Sequence, residues 1–579
     1  MEISNAFLPS STYPSNSAEI SQNIGVPPPS NNWRFTEDKI FISTYPSRHN
    51  FDDQTEGFFS FTDNFGTEFV EKLKEFKNVA SSLGEDSLES LKLVDAVLRL
   101  GIEYHFQEEI DRIIQCQYMK LKDDGYCEDG LYEVALRFRL FRQQGYHVSA
   151  VELYEHADIF NKFKGKDGKF KPILSQDMKG LMEMFEASQM SIEDEYILGE
   201  AENFSRHHLN ALLERLVGDQ ARRIQNTLEH PCHKSLARLT ARNFLHNFRV
   251  TKGWIKVAQD LARMDFKMVQ SIHQNEIDKV SIWWNELGLS KELKFARNQP
   301  LKWYLWTVAC LTDPRLSEQR IETTKPISLI YLIDDIFDIH GTLDELTLFT
   351  DAVNKWKFET TEQLPNYLKI CFKALDDVTN EIAFKVYKMH GWNPVDSLKK
   401  AWGKLCNAFL VEAQWFASGC LPKAKDYLKN AVVSTGVHVV LVHIFFLLGE
   451  GITKEAVDAL DQIPGIISST ATILRLWDDL GNAEDENQDG QDGSYVECYM
   501  KENHGSSVGE AREHVIQMIT KTWKQLNHEC LASNPFPASL KKASLNAARM
   551  VPLMYNYDGN HNLPSLEDYM KSLLSKTHP

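Results

Sequence analysis

Residues 328–338 read Ser328-Leu329-Ile330-Tyr331-Leu332-Ile333-Asp334-Asp335-Ile336-Phe337-Asp338, an apolar run that closes on three carboxylates. Asp334 and Asp338 stand four apart, so on a helix both project from one face. A second stretch, Leu474-Arg475-Leu476-Trp477-Asp478-Asp479-Leu480-Gly481-Asn482-Ala483-Glu484-Asp485-Glu486, repeats the design. There Asp478, Asn482 and Glu486 form an i, i+4, i+8 stripe, with Arg475 one turn earlier. Acidic residues at helical spacing are ordinary on solvated faces. Here both clusters end apolar helical runs, where carboxylates are costly to bury unless cations pair with them. Two such helices facing each other across a pocket can hold hard divalent cations such as Mg²⁺. Mg²⁺ with arginines nearby is what a diphosphate leaving group requires.

Outward from these stretches the chain reads as helix. Ser87 to Leu100 places apolar residues at helical spacing, and so do Met182 to Leu198 and Ser205 to Leu228. Alternating strand patterns with hairpin turns are missing, so periodicity gives an all-α protein. A chain of 579 residues with 43% hydrophobic content implies two or more large domains with substantial cores. A net charge of −18 argues against nucleic acid, which wants a basic surface. Nine cysteines, scattered and without a CxxC pair, point to reduced thiols and away from a zinc site.

The most apolar run, Val437 to Leu448, is shorter than the roughly 20 residues a bilayer needs and reads as a core helix, with His438 and His443 as packed residues. No membrane partner is expected. Residues 1–33 hold five prolines, seven serines and neither Lys nor Arg, the composition of a disordered leader. Glu2 and Glu19 and the missing basic residues speak against a transit peptide, so the cytosol is the expected compartment, with the plastid as the alternative.

At the two acidic stretches the chain resembles plant class I terpene synthases, over nearly everything from Phe58 onward. The family's DDxxD motif falls on Asp334, Asp335 and Asp338, and its (N/D)Dxx(S/T)xxxE motif on Asp478, Asp479, Asn482 and Glu486. Within the family it looks most like the linalool/nerolidol synthase group, through residues 135–146, 292–304 and 485–495. The resemblance implies an N-terminal helical barrel, vestigial in this class, and a C-terminal catalytic bundle. The expected division is a leader at 1–57, an N-terminal helical domain at 58–262 and a metal-binding catalytic domain at 263–579. Residues Val148 to Phe160 read as an insertion without catalytic meaning, and a monomer is expected.

The resemblance further implies three Mg²⁺, with Mn²⁺ as a substitute ion, and a prenyl diphosphate substrate. Asp334 and Asp338 would hold two ions from one wall; Asp478, Asn482 and Glu486 would hold the third from the other. Asp335 points about a third of a turn away and is read as a pairing residue that orients its helix. Asn482 departs from the family's Ser or Thr but keeps a neutral oxygen. Arg475 and Arg297 are the expected diphosphate-binding arginines. Arg297-Asn298-Gln299 retains only the first arginine of the family's RxR, and Ser494 stands where the family has a lysine.

Trp283 and Trp284 are the leading candidates for the hydrocarbon pocket, followed by Trp303, Tyr304, Trp306, Phe337, Tyr555 and Tyr557; an aromatic face stabilises a carbocation without deprotonating it. Ser434-Thr435-Gly436 resembles the family's helix kink, and Gly481 to Gly493 a lid segment. The chain lacks DxDD, the acid of protonation-initiated cyclisation, and it lacks RR(x)8W, which goes with isomerisation before ring closure. These departures lead to an acyclic tertiary alcohol as the expected product. A chain-elongating prenyltransferase would carry a second DDxxD, and a non-catalytic scaffold would not need both metal motifs.

Overall fold

The computed structural model describes residues 63–124, 130–150, 159–247, 253–482, 493–555 and 566–574. Among them every regular element is a helix; the only β pairing is an isolated bridge between Lys164 and Phe170. The leader at 1–57 and most of the expected insertion after Val148 lie outside the described residues.

The helix Leu88–Leu100 shows how local sequence sets the N-terminal elements. Ser87 caps it by accepting from the Ser90 N–H, and Gly101 ends it in the left-handed conformation that glycine adopts without a Cβ penalty. Two expected helical stretches are interrupted. Met178–Ser188 stops, and Tyr196–Leu213 begins only after a loop that passes through a positive φ at Asp194. Arg142 draws the loop in: its guanidinium donates to the Met190 carbonyl at 2.8 Å and pairs with Glu195. The carbonyls of Gln189 and Ser191, freed from helical bonding, accept from the Asn527 side chain at 3.1 and 2.9 Å. Helix periodicity misses this break because the cause is tertiary. The second stretch, Ser205 to Leu228, is divided by a turn before Asp219–Glu229.

Two main hydrophobic cores share one long helix, Trp254–Leu287. Ala258, Leu261, Ala262, Met268 and Val269 pack into the N-terminal core, whereas Val280 and Trp284 belong to the C-terminal one. The division expected at 262/263 lies inside this helix. Polar contacts also join the halves: His233 Nε2 lies 2.7 Å from Asn527 Oδ1, and Arg549 Nε donates to the His233 carbonyl at 2.7 Å.

The C-terminal bundle surrounds the buried helix Ser317–Asp335. Ala424–Ser434 and Val437–Leu448 pass beside it, broken at Thr435-Gly436. Counted through the break, Ala424–Leu448 is long and apolar enough to cross a membrane, but 83% of its most apolar window is buried inside the fold. It is a core element. His438 and His443 bond to the carbonyls of Ala401 (2.9 Å) and Val439 (2.7 Å) in that core. Among the described residues eight cysteines are present, all unbridged.

Candidate active site

The helix Ser317–Asp335 passes at its end into a single π turn, Ile336–His340. The wider turn alters the direction in which Asp338 leaves the helix, and such turns recur at functional positions. Asp334 and Asp335 are buried and Asp338 is half-buried. Arg297 closes on this wall from the loop before Pro300–Cys310. Its guanidinium pairs with the Asp334 carboxylate, and its Nε lies 2.6 Å from Asp335 Oδ1. The Arg297 backbone N–H donates to Asp335 Oδ2 at 2.7 Å, and the guanidinium sits 5.0 Å over the Tyr331 ring. Burial pushes the Asp334 carboxyl up to about 7, with Arg297 opposing and the Asp335 charge adding. Asp338 is raised well above the ordinary carboxylate range, by burial first and then by the charges of Asp334 and Glu412.

The second wall is the helix Gly465–Asn482. Arg475 donates to Asp478 Oδ2 at 3.1 Å, reaches to 3.7 Å from Asp479 Oδ1, and donates to Ser434 Oγ at 3.3 Å. Asp479 accepts the Tyr427 hydroxyl and the Tyr495 backbone N–H, each at 2.9 Å. The two walls therefore follow one rule. The first aspartate of each pair, Asp334 or Asp478, takes an arginine side chain, Arg297 or Arg475, that also reaches the second. The second, Asp335 or Asp479, is tied to the backbone of a neighbouring segment and fixes its helix. The Asn482 side chain, Glu486 and most of the Gly481 to Gly493 run lie outside the described residues. Ser494 caps the next helix, Tyr495–Glu502, by accepting from the Glu497 N–H.

The fold adds one site residue to which neither motif points. Glu412, on the helix Val395–Ser418, is buried, accepts from Ser434 Oγ at 2.7 Å and from Asn430 Nδ2 at 3.2 Å, and leaves its Oε2 without a partner among the described residues. Burial raises its pKa, with Arg475 opposing. A signal for it does exist in the sequence. Leu405, Phe409 and Ala413 form a core stripe, and a lone glutamate on such a stripe is rare without a function or a partner. Ser434, which touches both Glu412 and Arg475, sits at the helix break. Gly436 follows at φ +70°, and a Cβ there would come within 2.9 Å of Ile330 on the Asp334 helix. Both demands select glycine.

Among the described residues Asp334, Asp335, Asp338, Glu412, Asp478 and Asp479 thus surround two guanidiniums, Arg297 and Arg475. Among the described residues no three acidic, histidine or cysteine side chains converge closely enough to share one ion. The donors are nonetheless all oxygen and carry excess negative charge, which fits a hard divalent cation.

The aromatic candidates separate into layers. Tyr331 accepts the Trp306 indole N–H at 3.3 Å and packs against Trp303, which stands edge-on to Trp284 at 4.7 Å. Trp284 donates to Asn298 Oδ1 at 2.8 Å, holding the loop that carries Arg297. Trp283 instead lies beside the Lys325 ammonium, on a helix face roughly opposite Asp334. Tyr304 belongs to a buried network with Glu276 and His273. Phe337 packs on Phe409, and Tyr555 is buried between the walls; Tyr557 is outside the described residues.

Residues 285–525 match the family model described as "Terpene synthase family, metal binding domain", and residues 37–230 match "Terpene synthase, N-terminal domain". The chain belongs to the terpene synthase family. It is 54% identical to an (E)-nerolidol synthase of Cannabis sativa over 84% of this chain and 88% of the relative. It is 46% identical to the chloroplastic S-(+)-linalool synthase of Arabidopsis thaliana over 87% of each chain. A chloroplastic tricyclene synthase of Antirrhinum majus is 48% identical over 87% of this chain and 86% of the relative. Among solved structures, isoprene synthase from grey poplar in complex with three Mg²⁺ and dimethylallyl-S-thiolodiphosphate superposes with a TM-score of 0.83. That match is 33% identical and covers 90% of this chain and 98% of the other.

Proposed function

We propose that this terpene synthase ionises geranyl and farnesyl diphosphate with Mg²⁺ and captures the cation with water, giving linalool and nerolidol. The carrying observation is the surplus of buried carboxylates over arginines at the two facing walls, taken with the nerolidol and linalool synthases among its relatives. Asp334, Asp338, Asp478, Asn482 and Glu486 would hold the ions, with Glu412 as a further oxygen donor. Bound Mg²⁺ would supply the positive charge that makes diphosphate a leaving group. Arg297 and Arg475 are positioned to exchange their carboxylate partners for phosphate oxygens, which a guanidinium grips in the same fork geometry. Tyr331, Trp303 and Trp306 offer ring faces and no base to the cation.

A hydrophobic pocket discriminates weakly per added apolar group, so one site serves both chain lengths. Plastid residence is favoured by the relatives described as chloroplastic, over the cytosolic expectation from the leader's composition. The test is gas chromatography–mass spectrometry of products from both substrates, with Mg²⁺ and with chelator. Acyclic alcohols that vanish with chelator support the reading. The tricyclene synthase relative favours a second reading, cyclisation, and chiefly cyclic products would establish it.

A further inference from the structure

Tyr555 ends the helix Ala538–Met554. It is only 6% exposed, yet among the described residues its hydroxyl has no hydrogen-bond partner. A buried hydroxyl left unpaired costs about 1–3 kcal/mol, so a phenol is kept in such a place only where something polar comes to meet it. The surroundings locate that place. Tyr555 Cβ lies 3.9 Å from the position a Cβ at Gly481 would take, one turn beyond Asp478. The charged and polar groups acting on the hydroxyl are Asp478, Tyr331, Arg475 and Asp334, which come from both walls. None of them bonds to it, so the phenol stands at the meeting point of the carboxylates and the aromatic lining.

We propose that the Tyr555 hydroxyl holds the water molecule that quenches the carbocation, acting as a positioning residue for alcohol formation. The inference rests on the water-capture reading above. In the step, the allylic C–O bond breaks and both electrons leave with diphosphate. The double bond shifts by one position, leaving the tertiary carbon electron-poor. The water oxygen then forms the new C–O bond, and its extra proton passes to the departed diphosphate. Prenyl diphosphate and water become tertiary alcohol and hydrogen diphosphate, and Tyr555 keeps its own proton throughout. A phenol with an ordinary pKa of about 10 keeps its proton at neutral pH, so it orients water and does not deprotonate it.

The test compares the wild type with Tyr555→Phe, which keeps the ring, and with Tyr555→His, which restores a polar tip. Each is incubated with farnesyl diphosphate and Mg²⁺ in ¹⁸O-water. The readout is the ratio of labelled alcohol to olefin, which does not depend on total turnover or on the folded fraction. The expected result is a fall of about fivefold or more in Tyr555→Phe, the factor that one lost hydrogen bond is worth, with partial recovery in Tyr555→His. An unchanged ratio in Tyr555→Phe overturns the assignment while leaving water capture intact. A wild type that makes only olefin overturns water capture, and this inference with it.

Discussion

Both halves of the molecule bury charge, and they balance it differently. In the N-terminal half, Asp95 and Glu183 close on Arg139, while Arg99 adds contacts to Asp95, Glu183 and Glu186. Arg142 and Glu195 form a separate pair. Three arginines thus serve four carboxylates; the Asp95 pKa ends below its ordinary value because the two guanidiniums outweigh its burial, and Glu183 beside it is left raised by its own burial. At the two walls of the C-terminal half, two arginines face six carboxylates among the described residues, and Asp334, Asp335, Asp338 and Glu412 are all raised by burial that their partners do not offset. A closed network holds a fold together; an open one waits for cations. Substitutions should separate the two roles.

The largest effect belongs to the open network. Asp334→Ala or Asp478→Ala should lower kcat by about a thousandfold or more, since each removes a ligand from the charge stabilisation that supplies most of the rate. Circular dichroism should stay at the wild-type signal. Near-normal diphosphate release at saturating Mg²⁺ in either variant would remove the metal assignment. Arg139→Ala should do the reverse. It strands Asp95 and Glu183 in the N-terminal core at a cost of about 3–5 kcal/mol, the range measured for broken buried pairs. The melting temperature should drop while kcat per folded enzyme holds. A kcat loss without a melting shift would show that the halves are not functionally distinct.

Buried histidines show a third way to handle a titratable group, which is to keep it neutral. Burial lowers His233 to about 3 and His273, His438 and His443 to about 4. The unfolded chain therefore binds protons that the folded one does not as pH falls through 6.5. Stability rises with pH across this window and is lost on acidification. At pH 5 each such histidine weakens the fold by roughly 2 kcal/mol, from about 1.4 kcal/mol per pKa unit. Replacing His233 at the domain junction by Gln should shrink the melting-temperature difference between pH 6.5 and pH 5. An unchanged difference would mean that His233 is protonated in the fold.

The helical class is legible from periodicity, and the two buried acidic walls from i, i+4 carboxylates that close an apolar run, which cost too much to bury without a cation. The angular offset of Asp335 is likewise enough to give it a pairing role, and it does bond to Arg297. Periodicity cannot show the break at Gln189–Glu195, which Arg142 and Asn527 draw open from elsewhere in the chain. The π turn at Ile336–His340 is equally hidden, since a sequence carries the same residue spacing whether a turn is α or π. Glu412 belongs to no motif, and its signal is one charge on an otherwise apolar stripe. Adjacency in sequence makes Trp283 and Trp284 look like a pair. Neighbours on a helix point about 100° apart, and these two, with ring centroids 6.0 Å apart, have different polar partners, Lys325 for Trp283 and Asn298 for Trp284.

At Asn482 the surplus of carboxylates can be probed with a neutral ligand. Asn482→Ser should retain activity because it keeps an oxygen, whereas Asn482→Leu should lose about tenfold or more in apparent Mg²⁺ affinity, the usual scale for a lost metal-site contact. A Mg²⁺ titration of initial rate distinguishes the two, and equal curves would place residue 482 outside the ion shell.

The smallest effect tests how the open network is supported. Trp284 reaches the Arg297 loop through Asn298, whose side chain it holds at 2.8 Å and whose neighbour Arg297 pairs with Asp334 and Asp335, while its ring packs edge-on to Trp303. Trp284→Phe preserves the ring packed on Trp303 and deletes one hydrogen bond, worth about 1 kcal/mol. The loop is then free to sample positions in which Arg297 is displaced from the diphosphate site. KM for farnesyl diphosphate should rise about fivefold, the factor to which that energy corresponds, with kcat changing less, because ground-state and transition-state complexes both need the loop in place. Trp283, standing beside Lys325 on the far side of the helix, makes no such connection, and Trp283→Phe should leave KM within about twofold, as surface-layer changes do. Steady-state kinetics on the two single variants is sufficient. If both raise KM equally, the tryptophans act together on the hydrocarbon pocket, and the layering of Trp284 behind the Arg297 loop is not what sets their contribution.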